Sequence, residues 1–210
     1  MKKYFGKWIF RLTILLSGFL FPIKSEAQVS IVYGGNLSTV RNKITLENKE
    51  SILGYHAGAQ IQYYPVKSLK EWSIINEFIF TKKGYKQQFE KDYFSHFNYL
   101  SMPVLINYSP ISFLSVQGGV ELLELFSTNI KKGLKTYNTF DIGWALGFTA
   151  FDNRRIGIYS RATYGLLPML DYVVIDEMGN FVGEKKDLYN VCYSLGIRIK
   201  LRNEKIKLYK

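Results

Sequence analysis

The segment Tyr189–Leu201 reads YNVCYSLGIRIKL and alternates without a break. Tyr189, Val191, Tyr193, Leu195, Ile197, Ile199 and Leu201 are apolar or aromatic, and Asn190, Cys192, Ser194, Gly196, Arg198 and Lys200 between them are small or polar. A helix would scatter both sets around its circumference. A strand places each set on its own face. The same period returns upstream. Phe140, Ile142, Trp144, Leu146, Phe148 and Ala150 alternate with Asp141, Gly143, Ala145, Gly147 and Thr149. Leu53, Tyr55, Ala57, Ala59, Ile61 and Tyr63 alternate with Gly54, His56, Gly58, Gln60 and Gln62. Ile156, Ile158, Ala162 and Tyr164 alternate with Gly157, Tyr159, Arg161 and Thr163, and weaker versions run through 29–37, 71–84, 96–109 and 113–126.

These are eight candidate strands, mostly longer than the five or six residues usual in soluble proteins and long enough for a tilted membrane strand of about 9–11 residues. The stretches between them fall at about 38–51, 65–70, 85–95, 110–112, 127–139, 152–154 and 166–187, so that long and short alternate. An outer-membrane barrel has this rhythm, with short periplasmic turns and longer outer loops. An even strand number puts both termini on the periplasmic side. No stretch offers 18 consecutive apolar residues, so helices cannot do the spanning. Strands in hydrocarbon must close, because an exposed backbone N–H or C=O there has no partner.

Composition narrows the function classes. The chain has 210 residues, one cysteine and two histidines. No intramolecular disulfide, thiolate zinc site or His-rich metal centre can be built from these, and neither a P-loop nor a G-x-G-x-x-G is present. No metal or other cofactor is therefore expected. Residues 1–27 read as a signal peptide: Lys2, Lys3, Lys7 and Arg11 precede the apolar run from Leu12 to Ile23, and Ser25-Glu26-Ala27 supplies a small-residue cleavage site. Of 28 Lys+Arg and 17 Asp+Glu, this segment holds five and one, leaving 23 and 16, a net +7, on residues 28–210. The basic residues lie mostly in turn-like segments and the tail rather than on one face, which argues against nucleic acid as a partner.

In an eight-stranded barrel the lumen is only wide enough for side chains to fill. The apolar set, with Tyr193, Leu195, Ile197, Trp144, Leu146 and Phe148 as its clearest members, is expected to face lipid, and the small and polar set the lumen. Aromatic girdles are expected from Tyr63, Tyr64, Trp72 and Phe113 at the short turns and from Phe80, Tyr85, Phe97 and Tyr99 toward the long loops. A buried charge must be paired, so Glu77 and Glu121 are expected to pair with Arg161 and Arg198, with Asp141, His56, Gln60 and Gln117 completing the network. His56 and His96 are expected near the long-loop rim, where Asp92, Ser95 and Ser101 lie close to His96 in sequence, the one arrangement suggestive of a hydrolase. Asp171, Asp176, Glu177, Asn180 and Glu184 make the last long loop acidic without EF-hand spacing.

Several strings together carry a family resemblance. They are Tyr33-Gly34-Gly35-Asn36-Leu37-Ser38, Gly54-Tyr55-His56-Ala57-Gly58, Ile75-Asn76-Glu77-Phe78-Ile79-Phe80 leading to Lys83-Gly84, Asn98-Tyr99-Leu100-Ser101-Met102-Pro103-Val104-Leu105, Val116-Gln117-Gly118-Gly119 and Tyr193-Ser194-Leu195-Gly196-Ile197. The chain resembles the PorT-like outer-membrane β-barrel proteins of Bacteroidetes over nearly all of 28–201, most specifically in Asn-Tyr-Leu-x-x-Pro. The resemblance implies an eight-stranded outer-membrane barrel and, through the family's namesake, an association with type IX secretion. One departure is the tail, 202–210, which continues past the last strand where such barrels commonly end.

The sequence reading is thus an all-β, eight-stranded antiparallel transmembrane barrel at 28–201, after a signal peptide at 1–27 and before a short basic periplasmic tail at 202–210. It is expected to act as a structural or interaction protein rather than an enzyme. Outer-membrane lipid surrounds it, and protein partners would meet its long loops. A narrow pore for small solutes and a surface-facing barrel hydrolase are the alternatives. Oligomeric state is not legible.

Overall fold

The computed structural model describes residues 26–42, 49–66, 68–69, 71–88, 92–130, 137–175, 178, 181–201 and 206–207. Residues 1–25 of the expected signal peptide lie outside this set, as do Asp176, Glu177 and Asn180 of the acidic loop. All regular structure among the described residues is β. The strands are β1 (Glu26–Arg41), β2 (Lys49–Tyr64), β3 (Trp72–Gln87), β4 (Tyr93–Ile111), β5 (Leu114–Thr128), β6 (Phe140–Ala150), β7 (Ile156–Gly165), β8 (Leu170–Ile175), β9 (Phe181–Asp187), β10 (Tyr189–Lys200) and β11 (Ile206–Lys207).

Eight of them, β1 to β7 and β10, form an antiparallel meander that closes when β10 pairs with β1 from Ser30↔Lys200 to Arg41↔Tyr189. The closed ladder leaves no free sheet edge along the barrel wall. At its foot, Ala27 pairs with Ile206 and Glu26 with Lys207, so part of the tail continues the seam where β10 stops. Glu26 and Ala27 stand in β1. Cleavage after Ala27 would leave β1 starting at Gln28, opposite Gln62 of β2.

The alternation sorts the faces. Leu195 is 62% exposed and Trp144 57%, and Tyr193, Leu146, Phe148 and Ile197 also point outward. Glu77 is 3% exposed and Arg198 1%, inside the cylinder. The apolar set is thus the outer face and the polar set the lumen. The period of two is the cause, because one residue of slip would turn every side chain over. Trp72 and Tyr108, with ring centroids 4.6 Å apart, lie on the end with the short turns. Phe80 packs outward between Tyr55 at 5.9 Å and Phe126 at 5.4 Å.

Three expectations need correction. Tyr85, Phe97 and Tyr99 do not join a girdle: they are buried in the lumen at the end with the long connections, with Val40, Leu123, Leu125, Met169 and Leu188. All three share strand parity with lumen residues of their own strands, Lys83 on β3 and Ser101 on β4, and parity overrides aromatic character. The connections are also shorter than the alternation suggested, 42–48 after β1 and 88–92 after β3. Pairing continues there, at Lys49↔Gln87 and Gln87↔Tyr93, although the apolar/polar alternation has faded. A strand that has left an apolar surround needs its ladder but not an apolar outer face. Finally, 166–187 is not plain loop. It contains a separate hairpin, β8 on β9, in which Asp171 pairs with Lys186 and Val173 with Glu184.

The sorting of faces yields a direct test. In lipid vesicles, Leu195→Arg should cost about 2–4 kcal/mol of unfolding free energy, read from denaturant titration of tryptophan fluorescence. An unchanged midpoint would contradict an outward, lipid-facing Leu195.

Candidate functional site

The polar interior is the place where this sequence departs furthest from what apolar packing alone would choose. It is built in layers. At the short-turn end the β6–β7 turn tucks under the barrel. Arg198 Nη1 donates to Asp152 Oδ1 at 2.5 Å, and Arg198 Nη2 and Lys200 Nζ donate to the Asp152 carbonyl at 3.1 and 2.6 Å. The preceding residue, Phe151, has φ +58°, a left-handed conformation uncommon for a bulky residue. It persists because the ion pair beside it holds the turn in place.

The middle layer is a fork. Arg161 donates to both oxygens of Glu77, Nη1 to Oε2 at 2.5 Å and Nη2 to Oε1 at 2.8 Å. Arg161 Nη2 also reaches Gln117 Oε1 at 3.3 Å, and Gln117 Nε2 donates to Thr149 Oγ1 at 2.7 Å. The planar guanidinium suits a carboxylate of this geometry better than an ammonium would. Above it, Glu121 accepts from Lys83 Nζ at 2.9 Å and from Ser101 Oγ at 2.6 Å.

Pro103 lies between these two carboxylates. In register it stands opposite Glu121 on one side and, along the β3–β4 ladder, level with Glu77 on the other. That ladder is interrupted between Asn76↔Val104 and Ile79↔Ser101. Proline has no N–H to contribute to it. The Asn-Tyr-Leu-x-x-Pro string therefore supplies a plug residue, Tyr99, a carboxylate ligand, Ser101, and an apolar spacer between two acids.

His56 sits in mid-lumen. Its Nδ1 lies 2.6 Å from Asn36 Oδ1, and its Nε2 makes a short contact with the Tyr159 hydroxyl. Asn36 Nδ2 is occupied by Thr81 Oγ1 at 2.8 Å and by the Tyr55 carbonyl. The Oδ1 atom therefore faces the ring, Nδ1 carries the proton and Nε2 accepts from Tyr159. Two glycines on the closing seam make room. A Cβ on Gly34 would fall 2.2 Å from the Leu195 carbonyl, and one on Gly196 2.7 Å from the Tyr159 hydroxyl.

At the long-connection end, Asp141 accepts from Asn190 Nδ2 at 2.8 Å and from the Leu167 amide at 3.1 Å. Over it lies the apolar plug. Met169 and Leu188 come from the β7–β10 connection, and Tyr137 packs edge-on against Phe97 at 5.1 Å. Burial pushes the Tyr137 phenol above its ordinary range. Leu188 has φ +61°, so each end of the lumen is stoppered beside one strained residue. A cavity of about 20 Å³ lies among His56, Lys83, Glu121, Tyr159 and Arg161, on the scale of one water molecule.

The sequence expectation and this geometry differ in detail. Glu77 meets Arg161, but Glu121 is paired with Lys83, and Arg198 with Asp152. Lys83 shares the parity of Glu77, Ile79 and Thr81 on β3, a signal available in the sequence. Asp152 sits in a turn, where alternation assigns no face. Gln60 is buried in register with Glu77, yet its Nε2 has no hydrogen-bond partner among the described residues. His56 is central rather than at the rim.

The suggestive quartet does not converge. Asp92 pairs with Lys86 at 2.9 Å, the His96 ring stacks on Phe94 and its amide donates to Asn129, and Ser101 points inward to Glu121. Among the described residues no three His, Cys, Asp or Glu side chains cluster as metal ligands.

The central fork can be broken selectively. Arg161→Met should cost about 3–5 kcal/mol because it strands a buried carboxylate. Adding Glu77→Leu should recover much of that loss. Urea unfolding of the two single variants and the double variant measures the coupling, and strictly additive losses would show that the pair does not act as a unit.

No curated protein matches the chain. Solved structures do. Ail, the attachment invasion locus protein of Yersinia pestis, in complex with the heparin analogue sucrose octasulfate, is 15% identical over 84% of this chain and 99% of that one, with a TM-score of 0.47. Neisserial surface protein A is 10% identical over 83% and 99%, with a TM-score of 0.50. OprG of Pseudomonas aeruginosa is 13% identical over 86% and 99%, with a TM-score of 0.43. At these identities the likeness to Neisserial surface protein A speaks for the barrel fold alone. The sequence model of the outer membrane protein beta-barrel domain matches residues 21–171, most of the chain, and this protein belongs to that family.

Proposed function

We propose that this small outer-membrane barrel is a sealed structural and interaction protein that meets partners through its long connections, with both termini on the periplasmic side. The lumen carries this reading. Its cross-section is crossed by the Arg198–Asp152, Arg161–Glu77 and Lys83–Glu121 pairs and then by the apolar plug around Phe97 and Met169. Ion pairs bound this way hold side chains in place rather than offering a solute a path. The β7–β10 connection adds a second surface, because its β8–β9 hairpin stands apart from the barrel sheet. Strand β1 starts and β10 ends at the short-turn end, as an even number of strands requires.

Within this reading, the resemblance to PorT-like barrels supports an accessory role in type IX secretion. The carrying strings are part of the machinery described above: Tyr99, Ser101 and Pro103 in the Asn-Tyr-Leu-x-x-Pro string, and His56 against Asn36. Deleting the gene and comparing the secreted proteome with that of the parent tests the role, and an unchanged secretome removes it.

A sealed lumen predicts electrical silence. In planar bilayers the refolded mature protein should give no stable single-channel steps. Large, long-lived channels would overturn the sealed reading in favour of the narrow pore.

A further inference from the structure

Four cations of this barrel are matched by a carboxylate: Lys83 by Glu121, Lys86 by Glu50 and Asp92, Arg161 by Glu77, Arg198 by Asp152. Arg41, the last residue of β1, is not. Its guanidinium carbon lies 4.5 Å from the centroid of the Tyr164 ring and 4.8 Å from that of Tyr189. Both are within cation–π range. Among the described residues no carboxylate lies within ion-pair distance of it. Arg41 is nonetheless exposed on the outer face of the wall.

A second cation is fixed beside it. Lys49, the first residue of β2, donates from Nζ to the carbonyl of Val40 at 2.8 Å and to the side-chain oxygen of Asn42, the two neighbours of Arg41 in the chain. Lys49 thus adds a second positive charge to the rim where Arg41 stands. The tyrosine rings offer the guanidinium π faces but no formal negative charge, so its charge is left for an anion to match. A planar fork of this kind fits phosphate oxygens.

Height on the barrel identifies where such an anion would come from. Below Arg41 the outer face of β1 shows Ile31, Tyr33 and Leu37. At about 3.3 Å per residue and a tilt of roughly 40°, the path from Val29 to Arg41 rises about 30 Å. An apolar band about 25 Å tall that begins at Val29 therefore ends just beneath the guanidinium. Headgroups, not acyl chains, meet it there. We infer that Arg41, clamped by Tyr164 and Tyr189 and seconded by Lys49, binds the phosphate of an acidic lipid in the leaflet at the long-connection end. The orientation proposed above only decides which leaflet that is.

The test is native mass spectrometry of the mature protein released from neutral detergent micelles, titrated with phosphatidic acid, phosphatidylcholine or inorganic phosphate. Each variant is first shown to keep its heat-dependent gel shift, so failure to form a barrel is seen separately. One phosphatidic acid should bind in preference to phosphatidylcholine. Arg41→Ala and Lys49→Gln should each weaken it about tenfold, while Lys86→Gln, already satisfied by Glu50 and Asp92, should leave it unchanged. If Arg41→Ala does not fold, Lys49→Gln decides alone. Equal binding by wild type and the folded variants, equal binding of phosphatidylcholine, or displacement of the lipid by inorganic phosphate at comparable concentration would each overturn the assignment.

Discussion

Backbone hydrogen bonding in a medium without water is the constraint on which the rest of this molecule depends. Hydrocarbon offers no partner to a bare N–H or C=O, and each unpaired group costs several kcal/mol. The closure of β10 on β1 answers that demand along the whole seam, from Ser30↔Lys200 to Arg41↔Tyr189. It also sets the scale of everything inside. Eight strands enclose a cylinder that side chains can just fill, so each lumenal residue must fit the residues across from it as well as those beside it.

That crowding turns polar residues into cross-braces. Arg161 on β7 reaches Glu77 on β3, Lys83 on β3 reaches Glu121 on β5, and His56 on β2 reaches Tyr159 on β7. Each bond spans strands that are not neighbours in the sheet. Burying these charges is expensive in isolation, and the pairs offset that cost only because their geometry is close. The small residues belong to the same design. Gly34 and Gly196 face each other across the seam and leave the space that the His56 and Tyr159 rings occupy. Pro103 gives up a ladder position and places an apolar ring between the strand positions of the two acids.

The two mouths are closed by different chemistry. At the short-turn end a charged residue from a turn, Asp152, locks under Arg198 and Lys200. At the other end apolar residues of the β7–β10 connection cover Phe97, Tyr99 and Leu125. Both closures flank β7, and both hold a non-glycine residue at positive φ, Phe151 and Leu188. A barrel closed in this way presents function on its outside: the connections, the β8–β9 hairpin and the rim where Arg41 sits.

The alternation in segments such as Tyr189–Leu201 and Phe140–Ala150 was enough to give the identity, number and facing of the eight barrel strands, because side-chain direction in a strand has a period of two and needs no partner to define it. It placed Glu77, Glu121, Arg161, Arg198, Asp141, His56, Gln60 and Gln117 in the interior for the same reason. Which of them touch is another matter. That depends on strand tilt, on the shifts between Ser51 and His56 in β2 and between Asn98 and Tyr99 in β4, and on turns such as the one carrying Asp152, and none of these leaves a periodic mark. Tertiary structure alone therefore paired Lys83 with Glu121 and brought Arg41 against two tyrosines from strands far away in sequence, whereas strand parity already put Tyr85, Phe97 and Tyr99 on the lumenal face. Facing is a local property of the chain, whereas contact across a closed cylinder is a property of all eight strands at once.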